Sequence, residues 1–510
     1  MHPAKLTIAI CFLLLAIACP ISQRSWSEDK EKPAYEPTAN YESRDIEGWT
    51  VLVNKRLLNE KQELGDKAIR LLALQLYQIK TLVPQRQVVE LQKIKIWLDD
   101  DPRNQIHYHP ERQWLVDNGF NPDRAKAVDI GVADQFVNVY REQPFVVLHE
   151  LAHAYHDQVL GFEDERIKHV YELAVAGKEY ESVLKIQEHK GRHYALTDHK
   201  EFFAEATESF LGTNDFYPFV RSELKEHDLQ AYELLQEIWL TEVKEPSSQV
   251  RKKFKLDPYY QKYVSAGGLP IVSSDKVADE ALLEAAYLIN RMLAGRGDIR
   301  GAMIDNKTRF AVMAFDEFTT DVPEHATLQP KKYWDRRARG LGATAERPAV
   351  SCGEENLLAY PGDPYHTENI LIHEFAHAMH QMGLNTVDKE FDERLRMIYE
   401  QAMNEGLWKD KYAATNRDEY WAEGVQSYLD TNREDDHDHN HVNTREELKE
   451  YDPRLFELID GVFQQNPWRY THPSQRLQLA HLRTVESDNI PSFQWPKRLE
   501  AEGKSQKAKR

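Results

Sequence analysis

Two stretches of the sequence have the form His-Glu-x-x-His: His149-Glu150-Leu151-Ala152-His153 and His373-Glu374-Phe375-Ala376-His377. Each follows an apolar run, Phe145 to Leu148 in one and Ile370 to Ile372 in the other. Residues four apart lie on one face of a helix. The two imidazoles of each run can then converge on one zinc ion. The intervening carboxylate, Glu150 or Glu374, can reach a water on that ion and act as general base. A single run of this form arises by accident in many helices; two in register carry far more weight.

A catalytic zinc takes three protein ligands and keeps one position open. A third His ten residues after the first is excluded, because those positions are Val159 and Gly383. The alternative is a Glu from a later helix. Glu201-Phe202-Phe203-Ala204-Glu205 and Glu419-Tyr420-Trp421-Ala422-Glu423 match each other, and they begin 48 and 42 residues beyond the second motif His. Asp198 and Asn416 stand three residues earlier, where each can cap the helix. Glu201 and Glu419 then fall in the first turn as third ligands. Glu205 and Glu423, one turn on, are expected to orient a ligand imidazole.

Tyr194 and Tyr412 each stand seven residues before the candidate ligand Glu, in the parallel segments Tyr194-Ala195-Leu196-Thr197-Asp198 and Tyr412-Ala413-Ala414-Thr415-Asn416. A His-Glu-x-x-His run followed by a Tyr, six residues and Glu-Phe-Phe-Ala-Glu resembles the catalytic domain of anthrax lethal factor and its relatives. The resemblance implies two zinc ions per chain, one on His149, His153 and Glu201 and one on His373, His377 and Glu419. It also implies that Glu150 and Glu374 are the bases and that Tyr194 and Tyr412 assist at the oxyanion. The matched motifs cover about sixty residues of each copy, and the family's receptor-binding regions have no visible counterpart, so toxin action is not implied. The second copy departs in having Tyr420-Trp421 for Phe-Phe, a matter of packing more than chemistry.

Other residues recur without joining the ligand set. His156 and His380 follow the second motif His by three, and are expected beside the ligands or the substrate. Cys352 stands where the first copy has Ile130, which reads as a small buried apolar position. Ile130 to Val132, and the region of Gly353, read as a bend or as a sheet edge able to pair with a substrate backbone. Asp435-Asp436-His437-Asp438-His439-Asn440-His441 reads as a solvated loop, with a weak accessory metal site as the alternative.

The elements that must position these residues occur twice. An apolar-periodic helix is expected at about Lys61 to Leu82 and again at about Lys276 to Leu293. A strand follows each, Ile94 to Leu98 and Phe310 to Phe315; then come segments holding Trp114 and Trp334. Ala127-Val128-Asp129-Ile130-Gly131 pairs with Ala349-Val350-Ser351-Cys352-Gly353 just before the motif helices. From Trp114 and Trp334 onward the offset stays between 218 and 224 residues, as a duplicated domain requires.

The chain has 510 residues, 41% of them hydrophobic, enough for two cores. A formal net charge of −19 argues against a nucleic-acid partner. With Cys11 and Cys19 near the N-terminus and only Cys352 deep in the chain, a disulfide scaffold is excluded. Lys5, the apolar run Leu6 to Ala18 and Ala16-Ile17-Ala18 read as an export signal, too short to span a bilayer. The alternative is lipid attachment at Cys19. No later segment is long and apolar enough to be transmembrane. The expected layout is a signal peptide over 1–18, a linker over 19–43, a first domain over 44–255, a second over 268–490 and a polar tail over 491–510. The expected fold is α+β, with two tandem zincin-like domains, each a small sheet with a motif helix and a second ligand helix. The expected activity is hydrolysis of peptide or protein substrates, by a protein that is secreted or periplasmic. The rivals are a binding module descended from a peptidase, against which the intact Glu150 and Glu374 speak, and a zinc hydrolase of non-peptide substrates.

Overall fold

The computed structural model describes residues 35–337, 339–477, 479, 481–482 and 490–500. The export-signal and lipid-anchor expectations, and residues 501–510, lie outside these.

Strands β1 (Tyr41–Ile46) and β2 (Trp49–Asn54) form a hairpin that turns at Gly48, whose φ of 94° favours glycine. Trp49, Val51 and Val53 point into the core and Thr50 into solvent, the period of a half-buried strand. The helix Gln62–Leu82 buries Ala68, Leu72, Leu76 and Ile79, a single stripe at helical spacing. Strands β3 (Ile96–Leu98), β4 (Ile106–His109) and β5 (Ala127–Ile130) complete a sheet of order β1-β2-β3-β5-β4. Its inner strands run parallel, and β1 and β4 are antiparallel edges. A small hairpin, β6 (Val183–Leu184) and β7 (Lys190–Gly191), lies apart from it.

The second half repeats the arrangement. Strands β8 (Lys262–Ala266), β9 (Leu269–Ser273), β10 (Arg309–Met313), β11 (Gly340–Leu341) and β12 (Ala349–Gly353) give the order β8-β9-β10-β12-β11, again parallel inside and antiparallel at both edges. The helix Asp279–Met292 buries Leu282, Ala285, Ala286 and Ile289 in the place of Gln62–Leu82. The architecture is α+β with mixed sheets. The two principal apolar cores share no residue: one draws its buried residues from Ile46 to Trp239, the other from Val264 to Leu482.

Three expected boundaries move. Tyr41 to Ser43 belong to β1, not to a linker. Residues 248–260 belong with the second half, because Phe254, Leu256 and Tyr260 are buried against Val272, Ala311 and Met313. The first half therefore ends with the helix Leu229–Leu240, and the second starts well before 268. The expected tail is packed as far as Leu499: Phe493 and Leu499 are buried, and the Phe493 N–H donates to the Pro361 carbonyl at 2.8 Å.

Candidate metal centres

In the first half His149 and His153 lie one turn apart on the buried helix Val146–Tyr155. Glu201 lies in the first turn of the helix His199–Leu211, where Asp198 caps the backbone N–H groups of Lys200 and Glu201. The cap fixes the helix start, and with it the carboxylate that faces the imidazoles. The two Nε2 atoms stand 3.2 Å apart, and Glu201 Oε2 is 3.3 Å from each. The second half repeats this on the helices Ile370–Ala378 and Arg417–Tyr428, with Asn416 as cap. There the Nε2 atoms of His373 and His377 are 3.2 Å apart, and Glu419 Oε2 lies 3.1 and 3.3 Å from them.

These distances fit a metal ion. Ligand atoms at 2.0–2.1 Å from a tetrahedral zinc stand roughly 3.3 Å from one another. The tautomer agrees. His149 Nδ1 lies 2.8 Å from Glu208 Oε1 and His373 Nδ1 lies 2.7 Å from Gln426 Oε1. Both oxygens accept, so Nδ1 carries the hydrogen and a neutral ring turns a bare Nε2 toward the other ligand atoms. Only a cation or a shared proton relieves such facing lone pairs. With protons alone, burial opposes the charge on His149, and Glu201 and Glu208 overcome it to hold the imidazole well above its usual range. The donor set, two imidazoles and one carboxylate with room for a fourth ligand, is the chemistry of a zinc site.

The imidazole-orienting residues are a correction to the sequence expectation. Glu205 Oε1 is 3.9 Å from His149 Nδ1 and Glu423 Oε1 is 3.6 Å from His373 Nδ1, too long for a hydrogen bond. The bonds are made one turn further on, by Glu208 and Gln426. Glu423 is instead engaged by Asn432 Nδ2 at 3.0 Å and His439 Nε2 at 3.3 Å.

Glu150 is buried and Glu374 partly so, and burial pushes both up. Glu150 Oε2 accepts the Tyr108 backbone N–H at 2.6 Å, which ties this carboxylate to edge strand β4. In the second half β11 passes equally close to the motif helix. A Cβ on Gly340 would sit 2.8 Å from Glu374 Cγ, and one on Gly342 would sit 2.8 Å from His377 Cβ. The strand beside each centre is thus an edge, β4 or β11. Ile130 and Gly353 lie on inner strands, so of the two readings offered there, a bend or a sheet edge, the edge is overturned.

Tyr194 is half exposed at the mouth of a cleft of about 510 Å³, lined also by His107, Tyr108, Glu150, Glu201 and Asp215. The Glu201 carboxylate, followed by burial, raises its phenol pKa. Tyr412 is turned inward, and its O–H donates to Glu419 Oε1 at 3.0 Å. Tyr420 and Trp421 also gain partners that Phe202 and Phe203 have no atoms to make: Tyr420 O–H donates to Asp452 at 2.6 Å and Trp421 Nε1 to the Ala376 carbonyl at 2.8 Å.

His156 and His380 do not face the ligands. His156 is fully buried against Phe162 and Phe203, and His380 against Phe391, with its Nε2 3.0 Å from Asp392. Cys352 is buried on β12 opposite Val312, in the register that Ile130 takes opposite Leu98, and burial raises its thiol pKa, which suits an inert apolar position. In the Asp/His loop His437 is exposed, whereas His439 is buried between Asp436 and Glu423. Among the described residues, 435–441 contribute no group of three converging donors.

A scan of protein-family models finds no match to this chain, and a search of curated proteins finds none either.

Proposed function

We propose that the chain is a zinc-dependent peptidase with two active centres, each in a zincin-like domain of a tandem duplication. The supporting observation is the recurrence, in both halves, of three donor atoms 3.1–3.3 Å apart beside the motif Glu. His149, His153 and Glu201 would hold one ion, and His373, His377 and Glu419 the other. Zinc on such a set supplies Lewis acidity toward a carbonyl and makes water a nucleophile near neutral pH.

The protein's own residues do the rest. Glu150 and Glu374 take the proton from water and return it to the leaving amine, and their raised pKa suits both tasks. An extended peptide can add to edge strand β4 or β11, whose outer backbone groups lie beside the motif helix. Tyr194 and Tyr412 stand beside the ligand carboxylates, where a phenol O–H can meet an oxyanion. The arrangement agrees with the lethal-factor resemblance of the motifs. A location outside the cytoplasm rests on the leader-like residues 1–18 alone.

The test is a peptide-library digest with elemental analysis of the same sample. Cleavage that chelation abolishes and zinc restores is the expected result. Bound zinc without cleavage would point to a binding module, and cleavage of esters or other non-peptide bonds only would point to a different hydrolase.

A further inference from the structure

The two centres share ligands but not surroundings. His149 Nδ1 is backed by a carboxylate, Glu208, at 2.8 Å. His373 Nδ1 is backed by a neutral amide, Gln426, at 2.7 Å. The amide is itself held, since Gln426 Nε2 donates to Glu368 Oε2 at 3.3 Å, so it offers His373 an oxygen and no net charge.

The next layer widens the difference. In the first half Glu205 and Glu208 are both buried, and among the described residues Glu205 Oε2, Glu208 Oε2 and Asp215 Oδ1 have no hydrogen-bond partner. In the second half the counterpart of Glu205 is Glu423, and its Oε2 is met by Asn432 and His439. Lys185 lies close enough to Asp215 to influence it, but it packs over the Phe216 ring. Behind the first centre thus stand two buried carboxyl groups with unmet oxygens, and behind the second an amide and a carboxylate that Asn432 and His439 meet.

We propose that the centres are unequal by construction: the first binds its metal more tightly and releases it more slowly, with Glu208 and Gln426 as the positioning residues that set the difference. The inference rests on the reading that both centres hold zinc. A carboxylate behind a ligand imidazole makes the ring a stronger donor and screens the charge of the ion, and removing such a partner typically costs about 10- to 100-fold in metal affinity. Gln is isosteric with Glu and still accepts from Nδ1, so exchange of the two residues changes charge while keeping the bond.

The experiment uses the full chain with one centre disabled at a time. His373→Ala with His377→Ala leaves the first centre, and His149→Ala with His153→Ala leaves the second. Competition with a chromophoric chelator gives zinc affinity and release rate, and cobalt in place of zinc gives a visible spectrum for each centre. The first centre should bind about 10- to 100-fold more tightly. Glu208→Gln should remove most of that margin, and Gln426→Glu should raise the affinity of the second centre. A merely structural role would not yield the gain in the reverse exchange. Equal affinities, or an exchange that leaves both unchanged, would overturn the inequality while leaving the two-zinc reading standing. No zinc on either single-centre protein, each shown to be folded by its thermal transition, would overturn both.

Discussion

The backbone N–H of Tyr108 donates to Glu150 Oε2 at 2.6 Å, so this carboxylate, the proposed base, is held by the same strand that borders the cleft. One carboxylate oxygen is fixed and the other is left for a water. A glutamine at this position can still accept the Tyr108 N–H through its carbonyl, but it cannot take a proton. Glu150→Gln is therefore expected to keep fold and metal while lowering kcat at the first centre, by about 100- to 10,000-fold for loss of a general base. Glu374→Gln should do the same at the second. The double variant should bind two zinc ions and cleave nothing measurable; residual turnover within tenfold of the parent would remove the carboxylates from the mechanism.

The separation of the two cores predicts that the halves fold alone, with the cut placed where the structure puts it. Fragments 35–241 and 242–500 should each show a cooperative thermal transition, because the buried apolar residues of each core come from one half. A cut at 255 would instead strip Val243 and the helix Ser248–Phe254 from the second half, whose Phe254 is buried on the second sheet. The fragment starting at 256 should then be less stable than the one starting at 242. Halves that become soluble only when mixed would show a single shared core.

Much of this site is legible in the sequence, for physical reasons that differ by residue. Glu201 and Glu419 are marked by their caps, since Asp198 and Asn416 announce a helix start and hence what its first turn presents. Glu208 and Gln426 are not marked: an acid and an amide seven residues beyond Glu201 and Glu419 look like ordinary polar positions. Their only signal is that 201, 205 and 208 share one helical face, and which of them meets Nδ1 depends on an imidazole rotamer that no spacing encodes. The edge strand β4 escapes for another reason. Ile106-His107-Tyr108-His109 has no apolar run, because one side faces a polar cleft. The inner strand Ala127–Ile130 is apolar enough to be seen, and so a sheet edge is sought at its end, Ile130 to Val132, as one of two readings there. His156 and His380 repeat because each, on the turn that continues the motif helix, packs against a buried aromatic ring, and recurrence alone does not separate packing from chemistry.

His156 gives a pH prediction. It is fully buried, neither ring nitrogen has a hydrogen-bond partner among the described residues, and burial pushes its pKa down to about 3. In the unfolded chain an imidazole titrates near 6.5. The folded value is the lower one, so the unfolded state takes up the proton first. The contribution to stability is complete above about pH 6.5 and is lost as the pH falls toward 3, at up to about 1.4 kcal/mol per unit. His193, also pushed down to about 3 by burial, adds in the same half and the same window. Urea unfolding of the chain at pH 7, 6 and 5 should show the first-half transition falling steadily. His156→Leu should make that fall shallower. A slope unchanged by the substitution would mean that His156 is protonated in the fold.

The tyrosines make the sharpest comparison between the centres. Tyr194 is half exposed beside the cleft, so its phenol is free to turn toward a reacting carbonyl. Removing an oxyanion donor typically costs roughly 100- to 1,000-fold in kcat. Tyr194→Phe, made in the Glu374→Gln background to isolate the first centre, should show that loss with little change in KM or zinc content. Tyr412 already donates to the ligand carboxylate Glu419 at 3.0 Å and must leave that bond to serve an oxyanion. Tyr412→Phe, in the Glu150→Gln background, should therefore change two quantities: kcat falls, and zinc is released faster, because Glu419 loses a hydrogen bond that orients it. A kcat within about threefold of the parent, only ~0.7 kcal/mol, would assign the phenols to packing. Zinc release from the Tyr412→Phe protein at the parental rate would show that the bond to Glu419 does not help hold the metal.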